Sequence, residues 1–314
     1  MTGNHQTTEV ASEETSCEVD RPGGLVTRPQ VTPLFYATQA PRYGRQELIR
    51  RIEEHTARQL ICYVSGPAAM VTRDDVLPLF DLLHHVTAGA RLDLMLHTMG
   101  GDVDAAEKIV LMLRKATDSG GELRVIVPDA AKSAGTLISL AAKTIVMSDP
   151  SELGPIDPQI LITGPNGQLS RRPAQSYLDA YDDLVTRLKN PDGAAVAYQR
   201  MLDTYDPALL DMCRKALARS QKFAERFLRE GMFADGSGNF TAVASRLNDN
   251  RQWLSHGAVI NCDDARGLEL NVTYLDPKSP EWQAYWRLYC QQRLALDSEG
   301  QKLFESSIAS LPVN

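Results

Sequence analysis

Cysteine is scarce and poorly placed for cross-linking. The 314 residues contain five, Cys17, Cys62, Cys213, Cys262 and Cys290, odd in number and far apart. A zinc site or a disulfide framework needs close pairs at fixed spacing, so these read as reduced thiols, and the expected compartment is the cytoplasm. Long apolar runs are missing too. No stretch reaches the ~18 apolar residues of a membrane span, and the opening MTGNHQTTEVASEETSCEVD has no basic region leading into an apolar core, so neither a span nor secretion is expected. Nor is there an excess of positive charge: 33 Lys and Arg face 40 Asp and Glu, a net charge of −7. Without a basic stripe, nucleic acid is not an expected partner.

What remains is the composition of an ordinary globular chain, long enough to bury a substantial core. Residues 1–32 are polar and almost free of large apolar groups, which predicts a flexible tail. Leu48, Ile49 and Ile52 recur at helical spacing between Arg45 and Thr56, and Gln59–Val64 reads as a short buried strand ending at Ser65-Gly66-Pro67. Thr72 is placed to cap a helix whose apolar face holds Val76, Leu77, Phe80, Leu83 and Val86. Strand Leu92–His97, the Gly100-Gly101 break, a helix through Val103, Ala106, Ile109, Val110 and Leu113, and strand Leu123–Val127 follow. Ser133–Ala142 is small and apolar on all sides, as a buried helix would be, and precedes strand Thr144–Met147. This β-α-β-α-β-α-β order with near-continuous apolar strands implies a mostly parallel sheet joined by right-handed crossovers.

Beyond it the chain turns mainly helical, with a hairpin-like turn at Gly164-Pro165-Asn166-Gly167 and helical patterns over Pro173–Leu188 and Pro207–Glu230. An aromatic stripe, Trp282, Tyr285, Trp286, Leu288, Tyr289 and Leu294, marks a C-terminal helical extension over 276–314. Core packing is its plainer reading; contact with a partner subunit is the other.

Two glycine-containing turns sit at the C-terminal ends of successive strands, His97-Thr98-Met99-Gly100-Gly101 and Ala131-Lys132-Ser133-Ala134-Gly135. In an open α/β sheet that edge is where ligands bind. Ser133 lies between a strand and a helix of small residues, with the Ala134 N–H pointed at any oxyanion formed by its attack. The Gly100-Gly101 pair lets a second amide approach unobstructed, which suits acyl transfer. Serines in such turns more often simply cap a helix. The sequence is not a G-x-S-x-G elbow, because Ala131 stands at the first glycine.

Taken together, LDLMLHTMGGDVDAAEKI and VIVPDAAKSAGTLISLAAKTIVMSDPSELGPIDPQ resemble the serine dehydrogenase proteinase family, a relative of signal peptide peptidase A and of the Clp proteolytic subunit. The resemblance spans roughly residues 45–275. It implies a Clp/crotonase-type α/β spiral of βαβ units over 33–275, a serine peptidase acting on peptide or protein substrates, a nucleophile at Ser133, an oxyanion hole from Gly101 and Ala134 beside Gly100, and a homo-oligomer. No cofactor or metal is expected.

The general base is less legible. A serine hydroxyl needs a neighbour that takes its proton, normally His or a desolvated Lys. Aligned with the Clp subunit, this chain has Asp157 where that family has its histidine. Aligned with signal peptide peptidase A, it has GQLSRRPAQS, whose arginines do not deprotonate at ordinary pH. Candidates are therefore Asp157 in the Leu153–Pro158 turn, Lys215 on the helix over 207–230, and His256 in Trp253–Gly257. Each has a plainer role: a turn-capping Asp, a solvated Lys, a turn-stabilising His. His97 reads as a structural histidine propping the glycine turn, and Lys132 as pointing away from the nucleophile. Two other readings keep the fold: polarisation of an acyl-CoA thioester by Gly101 and Ala134, and a non-catalytic scaffold.

Overall fold

A computed structural model describes residues 32–118, 120–163, 166–189 and 194–314. The tail expected over 1–32 lies outside these but for Thr32, whose side chain caps helix α1 (Pro33–Thr38) by accepting from the Phe35 N–H. Residues 32–40 belong to a separate small unit.

The body, Pro41–Asn314, is built on the apolar strands that the sequence announces. Helix α2 (Ala40–Thr56) leads to β1 (Gln59–Ser65), α3 (Val76–Leu83), β2 (Arg91–His97), α4 (Val103–Thr117) and β3 (Glu122–Ile126). Short β4 (Ala130–Ala131), buried α5 (Ala134–Ser139), β5 (Thr144–Met147) and β6 (Glu152–Leu153) follow. Next come the antiparallel hairpin β7 (Gln159–Thr163) and β8 (Leu169–Pro173), then α6 (Ala174–Lys189), α7 (Ala195–Leu202) and the long α8 (Pro207–Glu230). Last are α9 (Phe240–Asn248), α10 (Asn250–Trp253), α11 (Cys262–Gly267), β9 (Val272–Tyr274), α12 (Pro280–Glu299), β10 (Lys302–Glu305) and β11 (Ser310–Val313).

The main sheet runs β11-β10-β1-β2-β3-β5-β9. From β1 to β9 every pairing is parallel, and β10 and β11 add antiparallel strands at the β1 edge. Successive side chains on a strand point to opposite faces, and both faces here are covered. Ile61 and Tyr63 of β1 enter the larger core with α3, α4, α5, α8 and α9, whereas Leu60, Cys62 and Val64 meet Ile49 and Ile52 of α2 and Trp282, Tyr285, Leu288 and Tyr289 of α12. The aromatic stripe is thus core packing, although Leu294 is exposed. Among the described residues no helix is long and apolar enough to cross a membrane.

Three expectations change. The helical extension over 276–314 holds only for α12, because the chain then returns as β10 and β11, with Cys62–Ser65 of β1 pairing with β10. Lys302–Glu305 is too short to show a strand period, and its pairing is decided by tertiary context. Helix α7 was not anticipated. The face of α3 is also rotated: it buries Pro78, Leu79 and Leu82, while Leu77 and Phe80 are exposed. The cause is the preceding turn, where the buried Asp75 carboxylate accepts from the Thr72 N–H at 2.8 Å, the Tyr63 hydroxyl at 2.7 Å and Lys302 Nζ at 2.6 Å. Those bonds fix the angle at which α3 begins.

Candidate active site

The two glycine turns are joined by short parallel bridges. Thr98 pairs with Ala131, through Thr98 N–H to Ala130 O at 2.9 Å and Lys132 N–H to Thr98 O at 3.0 Å. Gly101 pairs with Val71, through Val71 N–H to Gly100 O at 2.8 Å and Asp102 N–H to Val71 O at 2.9 Å. That pattern uses the groups on either side of Gly101, so its own N–H projects away from Val71. The Gly100 N–H is engaged by Thr98 Oγ1 at 3.2 Å. Both glycines have positive φ, +103° and +153°. A Cβ on Gly100 would lie 2.7 Å from Ser133 Cβ, and one on Gly101 would lie 2.3 Å from Val71 O, so only glycine fits this approach.

Ser133 stands directly opposite, half-buried, as the N-cap of α5 with φ 51° and ψ −112°. This is an uncommon conformation for a residue with a side chain. Its hydroxyl does not cap the helix and makes no hydrogen bond among the described residues. The Ala134 N–H, first in α5, has no intrahelical partner. Among the described residues a serine hydroxyl, the Gly101 N–H and the Ala134 N–H are therefore all uncommitted around the junction of the two turns.

Asp157 and His256 are brought together. His256 Nδ1 lies 2.7 Å from Asp157 Oδ1. A carboxylate only accepts, so Nδ1 carries the proton, and in the neutral ring Nε2 is then the nitrogen with the lone pair. The Asp157 side chain is fully buried and that of His256 partly exposed. The other oxygen, Asp157 Oδ2, accepts from Gln159 Nε2 at 3.1 Å and Asn250 Nδ2 at 3.5 Å. Sequence reasoning missed both orienting amides. Gln159 is close enough in sequence to Asp157 to have been noticed, whereas Asn250 reaches the site only through the packing of α10. The segment after His256 is pinned beside the serine turn, since Lys132 Nζ donates to Ala258 O at 2.9 Å and Leu153 pairs with Ile260.

Lys215 is not brought to this group. It lies on the outer face of α8, three-quarters exposed, paired with Asp211 at 2.5 Å. A helix lysine four residues from an aspartate meets it on the same face, which here is the solvated one. His97 lies beneath the serine turn, its Nδ1 accepting from the Ala130 N–H at 3.2 Å. Burial pushes its pKa down to about 4, opposed by Asp129 and aided by Arg293. Tyr289 of α12 lies beside the ring, tilted by 56° with centroids 5.1 Å apart, and donates to Asp129 at 2.6 Å. Among the described residues no group of three or more His, Cys, Asp or Glu side chains is arranged to hold a metal ion.

A parallel α/β sheet carrying a positive-φ serine at a strand-to-helix turn, faced by a glycine pair, defines a Clp-type α/β fold. The chain belongs to the ClpP-like SDH-type serine proteinases, whose family model matches residues 34–291. Uncharacterized protein MJ0137 of Methanocaldococcus jannaschii is 33% identical over 190 residues, 60% of this chain and 55% of that protein. Uncharacterized protein MJ1495 of the same organism is 29% identical over 181 residues, 58% and 52% of the two chains. The chain thus spans about half the length of the curated relatives it matches. Among solved structures, a serine-to-alanine mutant of 1510-N membrane-bound stomatin-specific protease overlays loosely, with TM-score 0.37 and 15% identity, over 70% of this chain and 99% of that one. A second mutant of that protease, in complex with a substrate peptide, gives TM-score 0.33 and 16% identity over 74% and 98%.

Proposed function

We propose that the chain is a serine peptidase in which Ser133, His256 and Asp157 act together. The observation that carries this is the Asp157–His256 hydrogen bond of 2.7 Å on a segment pinned to the turn that holds Ser133 in an uncommon backbone conformation. The Ser133 Oγ attacks the scissile carbonyl carbon while its proton passes to His256 Nε2. Asp157 steadies the imidazolium that forms. The N–H groups of Gly101 and Ala134 donate to the developing oxyanion, and Gly101 is favoured over Gly100 because the latter's N–H is already bonded to Thr98. Collapse returns the proton from Nε2 to the leaving amine, and water then attacks the acyl-enzyme by the same route. His256 comes within hydrogen-bond reach of the hydroxyl when substrate is bound, as catalytic hydrogen bonds commonly tighten only in the Michaelis complex. A peptide or protein substrate belongs to the same proposal and is supported by family membership; homo-oligomeric assembly is proposed with it.

A fluorophosphonate probe tests it. The expected result is labelling at Ser133, none in Ser133→Ala, and labelling slowed by about 10²-fold or more in His256→Ala and Asp157→Asn. Equal labelling of Ser133→Ala would end the reading. Tight coenzyme A binding by an unlabelled wild type would point to acyl-CoA chemistry instead.

A further inference from the structure

Lys132 directly precedes Ser133, yet its side chain turns away from the nucleophile and is buried. Its Nζ donates to Leu153 O at 3.1 Å and to Ala258 O at 2.9 Å, and it lies 2.9 Å from Glu152 Oε2. An ammonium has three donors and no acceptor, so three acceptors satisfy it completely, and a buried charge is tolerated only when paired in this manner. The acceptors are not scattered. Glu152 and Leu153 open the turn that ends in Asp157, Ala258 lies just past His256, and Lys132 is bonded to Ser133 itself. One side chain therefore ties together the three segments that carry the serine, the aspartate and the histidine.

The path of the stem supports this assignment. A Cβ on Gly154 would lie 2.8 Å from Lys132 Cδ, so the glycine leaves the channel through which the lysine passes. Thr136 fastens the same turn from α5, its hydroxyl donating to Ala131 O or Gly154 O and accepting from the Gly154 N–H at 3.0 Å. The His256 segment is tied to the serine turn through Lys132. Besides Lys132, it is held by the Leu153–Ile260 bridge, by Asp157, and at its start by Trp253, whose indole N–H donates to Arg246 O at 2.7 Å.

We propose that Lys132 is a positioning residue that holds the His256 segment and the Asp157 turn in register with Ser133. The proposal rests on the reading of those three residues given above. Without the ammonium, a buried carbonyl, a partly buried one and a carboxylate lose their shared donor, and the segment after His256 is free to shift. A displacement of about 1 Å in a catalytic group costs on the order of 10²-fold in rate.

Lys132→Met keeps the stem and removes the donors. Two measurements on the full chain decide the matter: the rate of fluorophosphonate labelling at Ser133, and the low-field proton resonance of the His256 Nδ1–H bonded to Asp157, assigned by its loss in His256→Asn. The expected result is a fall in labelling of about 10- to 100-fold together with loss or a clear shift of the resonance. In a labelled protein any other combination overturns the proposal. That includes slow labelling with an unmoved resonance, which would mean that Lys132 acts without placing His256. If Lys132→Met does not fold, Gly154→Ala takes its place, since the added methyl displaces the lysine stem; a smaller change in both readings supports the proposal and no change refutes it. The resonance needs no turnover. A wild type unlabelled at Ser133 therefore refutes the peptidase reading, while the resonance alone judges the clamp.

Discussion

Ser133 holds φ 51° and ψ −112°, a region where a residue with a Cβ carries strain of about 1–3 kcal/mol. The surroundings enforce it. Gly135 N–H donates to Lys132 O at 2.7 Å and Leu137 N–H to Ser133 O at 3.1 Å, so the backbone is held on both sides of the residue. Strain at a site that needs an exposed hydroxyl is stability given up for reactivity. Ser133→Gly is accordingly expected to abolish labelling and to raise stability over Ser133→Ala by about 1 kcal/mol, despite the entropy that glycine adds to the unfolded chain. Urea denaturation of the two variants measures this; a glycine variant no more stable than the alanine variant would remove the strain account. The position of Ser133 was legible because small residues, a glycine and a strand end meet there. Its dihedral angles were not, since they depend on how the backbone hydrogen bonds on either side of the residue close the turn.

At the scale of elements, the serine turn is braced from the opposite side of the sheet. His97, at the end of β2, bonds to the Ala130 N–H, and Tyr289 of α12 packs against it and bonds to Asp129. Burial lowers the His97 pKa from 6.5 to about 4. The unfolded chain therefore binds a proton at His97 in this window that the native chain does not, so stability rises with pH from about 4 to 6.5. The sign is that of a histidine buried neutral: its contribution is complete above pH 6.5 and is lost as the pH falls toward 4. The span corresponds to roughly 3 kcal/mol. His97→Asn keeps an acceptor for Ala130 but cannot protonate, so the stability lost between pH 7 and pH 4.5 should be smaller by about 2 kcal/mol than in the wild type. Urea midpoints at the two pH values check it, and an equal loss in both proteins would refute the assignment. The sequence suggested a propping role for His97 from its place before the glycines, whereas Asp129 and Tyr289 are distant from it in sequence and meet it only because α12 folds back. His256 and Asp157 show the same limit. Each was a candidate on separate grounds, and nothing in their spacing says that they share a hydrogen bond.

For the molecule as a whole, the family match ends at residue 291, but the sheet does not. Residues 302–305 pair with Cys62–Ser65 of β1, and residues 310–313 pair with them in turn. The parallel strands were legible because they are apolar on both faces, as buried parallel strands must be. β10 is short and mixed in polarity, and its place depends on long-range partners: Phe304 stacks on Tyr63 with ring centroids 4.5 Å apart, Lys302 bonds to Asp75, and Glu305 accepts from Arg45 at 2.9 Å and from Gln292 at 3.0 Å. Ending the chain at Gly300 would bare the β1 edge, leave Asp75 without its lysine, and strand the buried Arg45 with only the half-exposed Glu299. An uncovered strand edge is a template for pairing with other chains, and a buried charge stripped of its partner costs about 3–5 kcal/mol. We therefore expect a chain truncated after Gly300 to aggregate or to melt well below the full-length protein, with fluorophosphonate labelling lost even though Ser133, Asp157 and His256 are all retained. Far-ultraviolet circular dichroism, a thermal melt and light scattering read this outcome directly. A truncated chain that stays monodisperse and melts with the full-length protein would show that the parallel strands hold their edge without the returning pair.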